Sequence, residues 1–254
     1  MRNVWIIFQK ELRSYFVSPI AWLLLTMFAV IFGYFFWTRL GMFVFAGMEQ
    51  QMRGEMFPMS VNEWVISPLL SNTSVIGLFF IPIITMRLFA EEKRNGTIEL
   101  LTTSPIRDVD VILGKWLAAL TLYASMLFFT GLSFIFLFRY GNPDWKPLLI
   151  GYLGLLLQAG CLLAIGTFIS TLTKNQIIAG AATFAICLMF WVFEWTSYET
   201  ATWAKVLSYM SVTVHFESFA RGVLELKDAV YYATLILIGL FFTARSMESL
   251  RWRS

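Results

Sequence analysis

Six long stretches without a single Asp, Glu, Lys or Arg constrain this fold more than any other feature of the sequence. They cover residues 14–38, 64–86, 116–138, 147–173, 175–193 and 229–244. A helix that crosses a bilayer needs about 20 apolar residues. Five stretches meet this requirement, and the shorter sixth would rely on Asp228 and Arg245 reaching toward the two membrane interfaces.

We therefore predict an all-α integral membrane protein with six transmembrane helices in one domain that covers residues 1–254. The spans are expected at about 18–38, 66–88, 116–138, 148–172, 176–193 and 229–245. The composition agrees, because 58% of the residues are hydrophobic and only 14% are charged, whereas a soluble domain has about a quarter charged. Cys161 and Cys187 lie inside apolar runs, where they are expected to act as small hydrophobic residues.

The positions of Lys and Arg predict the orientation, because short basic loops are retained on the cytoplasmic side. With the amino terminus inside, the cytoplasmic segments contain 12 of the 19 basic residues. We therefore place both termini in the cytoplasm. The twelve are Arg2, Lys10, Arg13, Arg87, Lys93, Arg94, Arg107, Lys115, Lys174, Arg245, Arg251 and Arg253. The net charge of +3 is too small to indicate a nucleic-acid partner.

An amphipathic helix is predicted before the first span, where Trp5, Phe8, Leu12 and Phe16 recur at three- and four-residue steps. Such a helix lies on the membrane surface. The alternative is a basic flank that only sets the topology. A cleaved signal peptide fits less well, because the apolar run is too long and no small-x-small cleavage site follows it.

The most polar segment lies between the second and third spans. Residues 87–94 can extend the second helix into the cytosol until Asn95 and Gly96 stop it. Thr97 then offers an N-cap, Glu99 lies in the first turn of a new helix, and Pro105 ends that helix.

This predicted short helix would present apolar residues to a partner. Ile98, Leu101 and Thr102 lie on one side of it, and anchors with this spacing can be buried together in a groove. The alternative is a loop helix that rests on lipid headgroups. On the opposite side of the membrane, residues 194–228 are rich in aromatic residues and are expected to form a re-entrant helical segment before the last span.

Several kinds of chemistry have no motif in this sequence. The Gly114-Lys115 pair does not belong to a phosphate-binding loop, because Trp116 follows it and no glycine lies five residues before it. His215 is the only histidine, and a structural role is expected for it rather than a metal site. The uncharged spans argue against an intramembrane protease or a proton-coupled carrier.

The polar segment contains Phe89, Glu91, Glu92, Lys93, Arg94, Gly96, Thr97, Glu99, Leu100, Leu101, Ser104, Pro105, Gly114 and Lys115. With these residues it resembles the cytoplasmic signature of the ATP-binding-cassette (ABC) transporter permeases of the second exporter class (ABC-2 type). Within that class it most resembles the gliding-motility-type permease. The resemblance implies a coupling helix after the second span and a re-entrant helical pair before the sixth. The residues implied to couple to an ATPase are Phe89, Glu91, Glu92, Lys93, Gly96, Thr97, Ile98, Glu99, Leu100, Leu101 and Pro105.

The resemblance also implies partners. The chain would be the permease subunit of an ATP-driven exporter in the cell inner membrane, paired with a second copy or a paralogue. Separate ABC ATPase subunits would bind ATP and magnesium, and this chain would bind no cofactor and catalyse no reaction. A membrane scaffold or assembly factor is the first alternative, and a membrane enzyme is the second.

The topology can be tested by single cysteine substitutions and an impermeant thiol reagent applied to intact cells. Cysteines at Gln50, Asp144 and Glu199 should react, because all three lie in loops assigned to the outside. Cysteines at Lys93 and Arg251 should not. Labelling at position 251 would show that the sixth stretch does not span the membrane.

Overall fold

The structure, a computed structural model, describes residues 2–54, 60–98, 106–141, 143–198 and 201–251. Within these ranges the chain is helical and forms no strand. A π-helical turn at Asn62–Ile66 leads into the third helix, and a 3-10 helix at Phe193–Tyr198 follows the seventh. The described α-helices are α1 Arg2–Val17, α2 Pro19–Arg53, α3 Ser67–Thr85, α4 Ala90–Arg94, α5 Asp108–Tyr140, α6 Trp145–Leu172, α7 Gln176–Val192, α8 Thr202–Met210, α9 Val212–Ala220 and α10 Leu226–Arg251.

Six helical segments are long and apolar enough to cross a membrane, and each coincides with one of the predicted spans. They are built on α2, α3, α5, α6, α7 and α10. The prediction of an all-helical protein with six candidate transmembrane helices is therefore confirmed. Chain direction places α1, α4 and the end of α6 at one end of the bundle, here called the α1 end. The opposite end, here called the α9 end, carries α8 and α9.

Local capping, rather than charge, determines where the first long helix begins and ends. Ser18 accepts a hydrogen bond from the Ile20 backbone, and Pro19 occupies the first turn, where its missing N–H loses nothing. The helix ends at Gly54, which has a φ of 71°. Because Arg39 alone does not stop a helix, α2 continues 15 residues beyond the predicted boundary at residue 38.

α6 lies at the centre of the bundle and packs against α3, α9 and α10. Gly166 permits its close contact with α3, since a Cβ atom at this position would lie 2.6 Å from Thr85 Oγ1. A buried hydrogen bond of 2.8 Å from Ser74 Oγ to Gln158 Oε1 joins the same two helices. The polar groups in this core therefore fix the register of α3 on α6.

At the α9 end, His215 links three elements. Its Nδ1 lies 2.7 Å from Asp228 Oδ1 on α10, and its Nε2 lies 2.9 Å from the Tyr209 carbonyl oxygen on α8. The ring stacks on Tyr231 with a centroid distance of 3.9 Å. The Ser218 hydroxyl donates to the other oxygen of Asp228 at 2.6 Å. His215 is thus a buried structural histidine whose two ring nitrogens both have partners.

The predicted role of Asp228 at a membrane interface is wrong. Its side chain is buried inside the protein, where it accepts a hydrogen bond from Ser218 and pairs with His215. α10 needs no such extension, since it begins at Leu226 and reaches Arg251. Arg245 is exposed and pairs with Glu248 at 2.9 Å.

The close contact at Gly166 generates a test of the packing. Gly166→Ala should destabilise the protein by about 1–3 kcal/mol, because the added methyl group overlaps Thr85 and backbone atoms must shift. Gly33→Ala is the matched control, since its Cβ would meet nothing within 4 Å. Thermal unfolding in detergent measures both. Equal midpoints for the two variants would contradict the described contact between α3 and α6.

Candidate functional site

The polar segment of residues 87–115, here called the signature segment, begins at a turn that interrupts the second helical span. The prediction that residues 87–94 can extend that helix is confirmed in part: the second candidate span is one helical segment over Asn62–Arg94, but a turn after Thr85 interrupts it before α4. The reason lies in α6. Its Ser170 hydroxyl accepts hydrogen bonds from the backbone N–H groups of Phe89 and Ala90, each at 3.0 Å. Ser170 therefore satisfies the amino-terminal donors of a new helix.

α4 is held at its other end by one further contact with α6. The Lys93 ammonium group donates a hydrogen bond to the Thr171 carbonyl oxygen, which lies in the last turn of α6. A positive charge is favourable at a helix carboxyl terminus. Burial and the nearby charge of Lys174 lower the pKa of Lys93. Both ends of α4 are thus fixed to one helix of the core.

Gly96 terminates α4 with a φ of 71°, which is the stop that the sequence predicted. The Thr97 N–H donates to the Glu92 carbonyl oxygen at 3.0 Å, the bond of a Schellman motif. Thr97 is exposed and Ile98 is partly buried against the core. Glu99, Leu100, Leu101 and Pro105 lie outside the described residues, and with them most of the predicted coupling helix.

Lys115 is the charged centre of this region and is only 3% exposed. Its ammonium group lies 3.1 Å from Glu11 Oε1 on α1 and 2.9 Å from Glu92 Oε1 on α4. It also donates to the Leu88 carbonyl oxygen at 2.8 Å and lies 5.2 Å from the centre of the Phe89 ring. One side chain of α5 thereby joins the amino-terminal helix to the signature segment.

The electrostatics of Glu11 show that this pairing is favourable in the folded protein. Burial alone would raise the pKa of Glu11, but the charges and hydrogen bonds of Lys115 and Lys10 outweigh it and hold the pKa below its usual value. A lowered pKa contributes stability that is present above the usual glutamate range and is lost as the pH falls through the lowered value. The ion pair is therefore intact at neutral pH.

The residue before Lys115 is Gly114, and the close packing of α1 leaves no room for a side chain there. A Cβ atom here would lie 2.8 Å from a side-chain carbon of Ile7 and 3.1 Å from the Val4 carbonyl oxygen. The missing side chain lets α1 lie directly on α5, which places Glu11 within reach of Lys115. The Gly-Lys pair thus serves a packing and charge-pairing role.

The face of α1 that contacts the bundle is not the predicted aromatic stripe. Ile7 and Glu11 make the contacts with α5, whereas Trp5 is exposed and stacks on Phe8 at 5.0 Å. Leu12 and Phe16 are partly buried, and the Phe16 carbonyl oxygen accepts a hydrogen bond of 3.0 Å from the Trp22 indole. Of the four stripe residues only Trp5 is exposed, and Phe16 packs against the core.

Sequence reasoning missed two residues of this site, Glu11 and Ser170. Glu11 was not distinguished from the basic residues around it, and Ser170 lies inside an uncharged span. No local pattern marks either one, because their partners are 104 and about 80 residues away in the chain.

Within the described ranges, no group of three or more His, Cys, Asp or Glu side chains could hold a metal ion.

Lys115 and Lys10 provide a matched test, since both pair with Glu11 but only Lys115 is buried. Lys115→Met should lower the free energy of unfolding by about 3–5 kcal/mol, because Glu92 loses its ion-pair partner in the described structure and Glu11 keeps only the exposed Lys10. Lys10→Met should change it by at most about 1 kcal/mol, as expected for an exposed pair. Thermal unfolding in detergent measures both. Equal losses would contradict the central role of Lys115.

Comparison with known proteins agrees with these features. The sequence profile of a family described as "ABC-2 family transporter protein" matches residues 5–244. The match includes most of α1, the signature segment, five of the candidate spans and most of the sixth. No curated protein matches the chain.

Proposed function

Since the chain belongs to the ABC-2 family of transporter membrane proteins, we propose that it is the permease subunit of an ATP-driven exporter. The family match supports a multi-pass membrane component that works with ABC ATPase subunits and has no ATPase site of its own. Export as the direction of transport, and the inner membrane as the location, form part of the proposal. So does the gliding-motility-type subclass, which the signature residues favour.

One observation carries the mechanism: α4, which lies in the described part of the signature segment, is fixed to the spans at several points. Ser170 and Thr171 of α6 bind the two ends of α4, and Lys115 of α5 pairs with Glu92 inside it. A force applied to this segment therefore reaches two spanning helices through short polar contacts.

ATP would act on this segment through a partner. The short helix predicted over residues 97–103 would dock in a groove of the ATPase, and closure of two ATPase subunits would move α4 with it. Because α4 is bound to α5 and α6, those helices would shift and change which side of the membrane has access to the pathway.

The transport pathway would form between two permease subunits. A second copy of this chain or a paralogue would supply the other half, and the substrate would pass between them. Large apolar side chains are exposed along α2 and α10, including Val30, Trp37, Phe45 and Leu237. Lipid and a second permease are the two environments that such surfaces require.

A membrane scaffold or assembly factor is the competing function. It would need the same membrane spans but no link between ATP hydrolysis and the helices. Purification separates the two, because a permease should co-purify with an ABC ATPase. A different partner, without any dependence on ATP, would support the scaffold.

Leu101→Asp tests the docking helix directly. A charge buried in a partner groove should separate the ATPase from the permease, whereas membrane insertion should survive because no span changes. Glu99→Lys should have a milder effect, below about 1 kcal/mol, since it alters only a first-turn charge.

Leu226→Asp is the matched control for that experiment, since it introduces the same charge at an exposed position of the α9 end. It should retain the ATPase. Retention of the ATPase together with full transport by Leu101→Asp would contradict the proposed coupling helix. The measurement is the amount of ATPase recovered with each tagged permease, at matched permease levels in the membrane.

A further inference from the structure

A crevice of about 430 Å³ opens at the α1 end between α1, α2, α3 and α4. Its volume lies within the roughly 300–1,000 Å³ range of small-molecule sites. One side of it is charged and the other is apolar. The charged side is formed by Lys10, Glu11, Arg87, Glu91, Glu92 and Lys115, and the apolar side includes Ile20, Leu24, Ile83, Ile84 and Leu122.

The apolar and the charged side of the crevice lie at different depths along the helix bundle. The apolar residues lie on the spanning helices α2, α3 and α5, and Ile20 and Ile83 are exposed. The charged residues lie mainly on α1 and on the segment around α4, beyond the end of α3. The crevice therefore crosses the boundary at which a bilayer changes from hydrocarbon to headgroups, so an occupant needs an apolar tail and a polar head.

The charged residues of the crevice indicate which kind of polar headgroup fits it. The crevice has three bases and three acids, and its bases are already paired with its acids, so it is balanced overall. A zwitterionic head preserves this balance, whereas a purely anionic or cationic head disturbs it. Arg87 uses two of its five N–H donors on Glu91 within the described residues, and the others suit a phosphate.

Glu92 indicates which zwitterion fits best. Its Oε1 pairs with Lys115, but its Oε2 is buried and has no hydrogen-bond partner among the described residues. A buried carboxylate oxygen requires a donor. A primary ammonium group can donate three hydrogen bonds, whereas a quaternary ammonium group can donate none through nitrogen.

We propose that this crevice binds a membrane phospholipid with a primary-ammonium headgroup, such as a phosphatidylethanolamine. The acyl chains lie along the exposed Ile20 and Ile83, the phosphate meets Arg87, and the ammonium group meets Glu92. The bound lipid would fill the space between α1 and the spans, next to the contact of α1 with Gly114. This inference concerns the lipid environment of the chain and does not depend on transport.

Native mass spectrometry of the full chain tests the proposal with three lipids that share the same acyl chains. Dioleoyl phosphatidylethanolamine, phosphatidylcholine and phosphatidylglycerol are added in equal amounts to the detergent-purified protein. Phosphatidylethanolamine should be retained roughly tenfold more than phosphatidylcholine, because a charge-assisted hydrogen bond is lost with the latter. Soluble phosphoethanolamine should not displace it, since it lacks the apolar chains.

Two variants locate the site. Ser14→Trp should block the mouth of the crevice and remove the retained phosphatidylethanolamine, because Ser14 is an exposed lining residue of α1. Ser249→Trp is the matched control at another exposed helical serine and should retain the lipid. Glu92→Gln should lower the retention of phosphatidylethanolamine while leaving that of phosphatidylcholine unchanged, a difference that misfolding would not produce.

Four outcomes would overturn the proposal. Equal retention of phosphatidylethanolamine and phosphatidylcholine would show that no ammonium group is recognised. Preference for phosphatidylglycerol would show an anion site. Displacement by soluble phosphoethanolamine would show a headgroup site that needs no lipid, and unchanged retention in Ser14→Trp would place the lipid elsewhere.

Discussion

The buried charge of Lys115 is the interaction on which the α1 end of this protein depends. An ammonium group removed from water must be paired and hydrogen-bonded, and here two carboxylates and one carbonyl oxygen meet that requirement. The two carboxylates come from elements that share no other side-chain ion pair in the described structure, α1 and α4. The positions of α1 and α4 are therefore coupled through α5, so that a movement of one helix should displace the other.

This coupling adds specific polar contacts to the apolar packing of the spans. The spans are ordinary apolar helices, and their mutual packing relies on small contacts such as Gly166 against Thr85. The polar contacts at the α1 end act on top of that packing, because Ser170 redirects the chain into α4 and Lys115 fixes α4 to α1. In the proposed function a separate ATPase supplies the energy, and this junction would pass its movement to the spans.

The spans could be predicted from sequence because a bilayer requires long uninterrupted apolar runs, and each run became one helical segment. Some helix ends could not: α4 begins where it does because of a tertiary contact with Ser170 of α6, and α2 ends at the local cap Gly54 rather than at Arg39, whereas the stop at Gly96 was predicted. The signature residues were recognised, but the role of Lys115 was not, since Glu11 lies 104 residues from it. His215 was correctly expected to be structural, although Asp228 was not identified as its partner.

The most direct test of the account measures whether α1 and α4 move as one unit during the ATP cycle. Spin labels on the exposed positions Gln9 and Arg94 report the distance between α1 and α4, and a label at the exposed Met52, near the end of α2, gives a reference at the α9 end on a helix that does not carry Lys115. In the complex with the proposed ATPase, ATP trapping should leave the Gln9 to Arg94 distance unchanged while the Arg94 to Met52 distance shifts. A change between Gln9 and Arg94, or no nucleotide-dependent change at all, would contradict the coupling of the ATPase to the spans through Lys115.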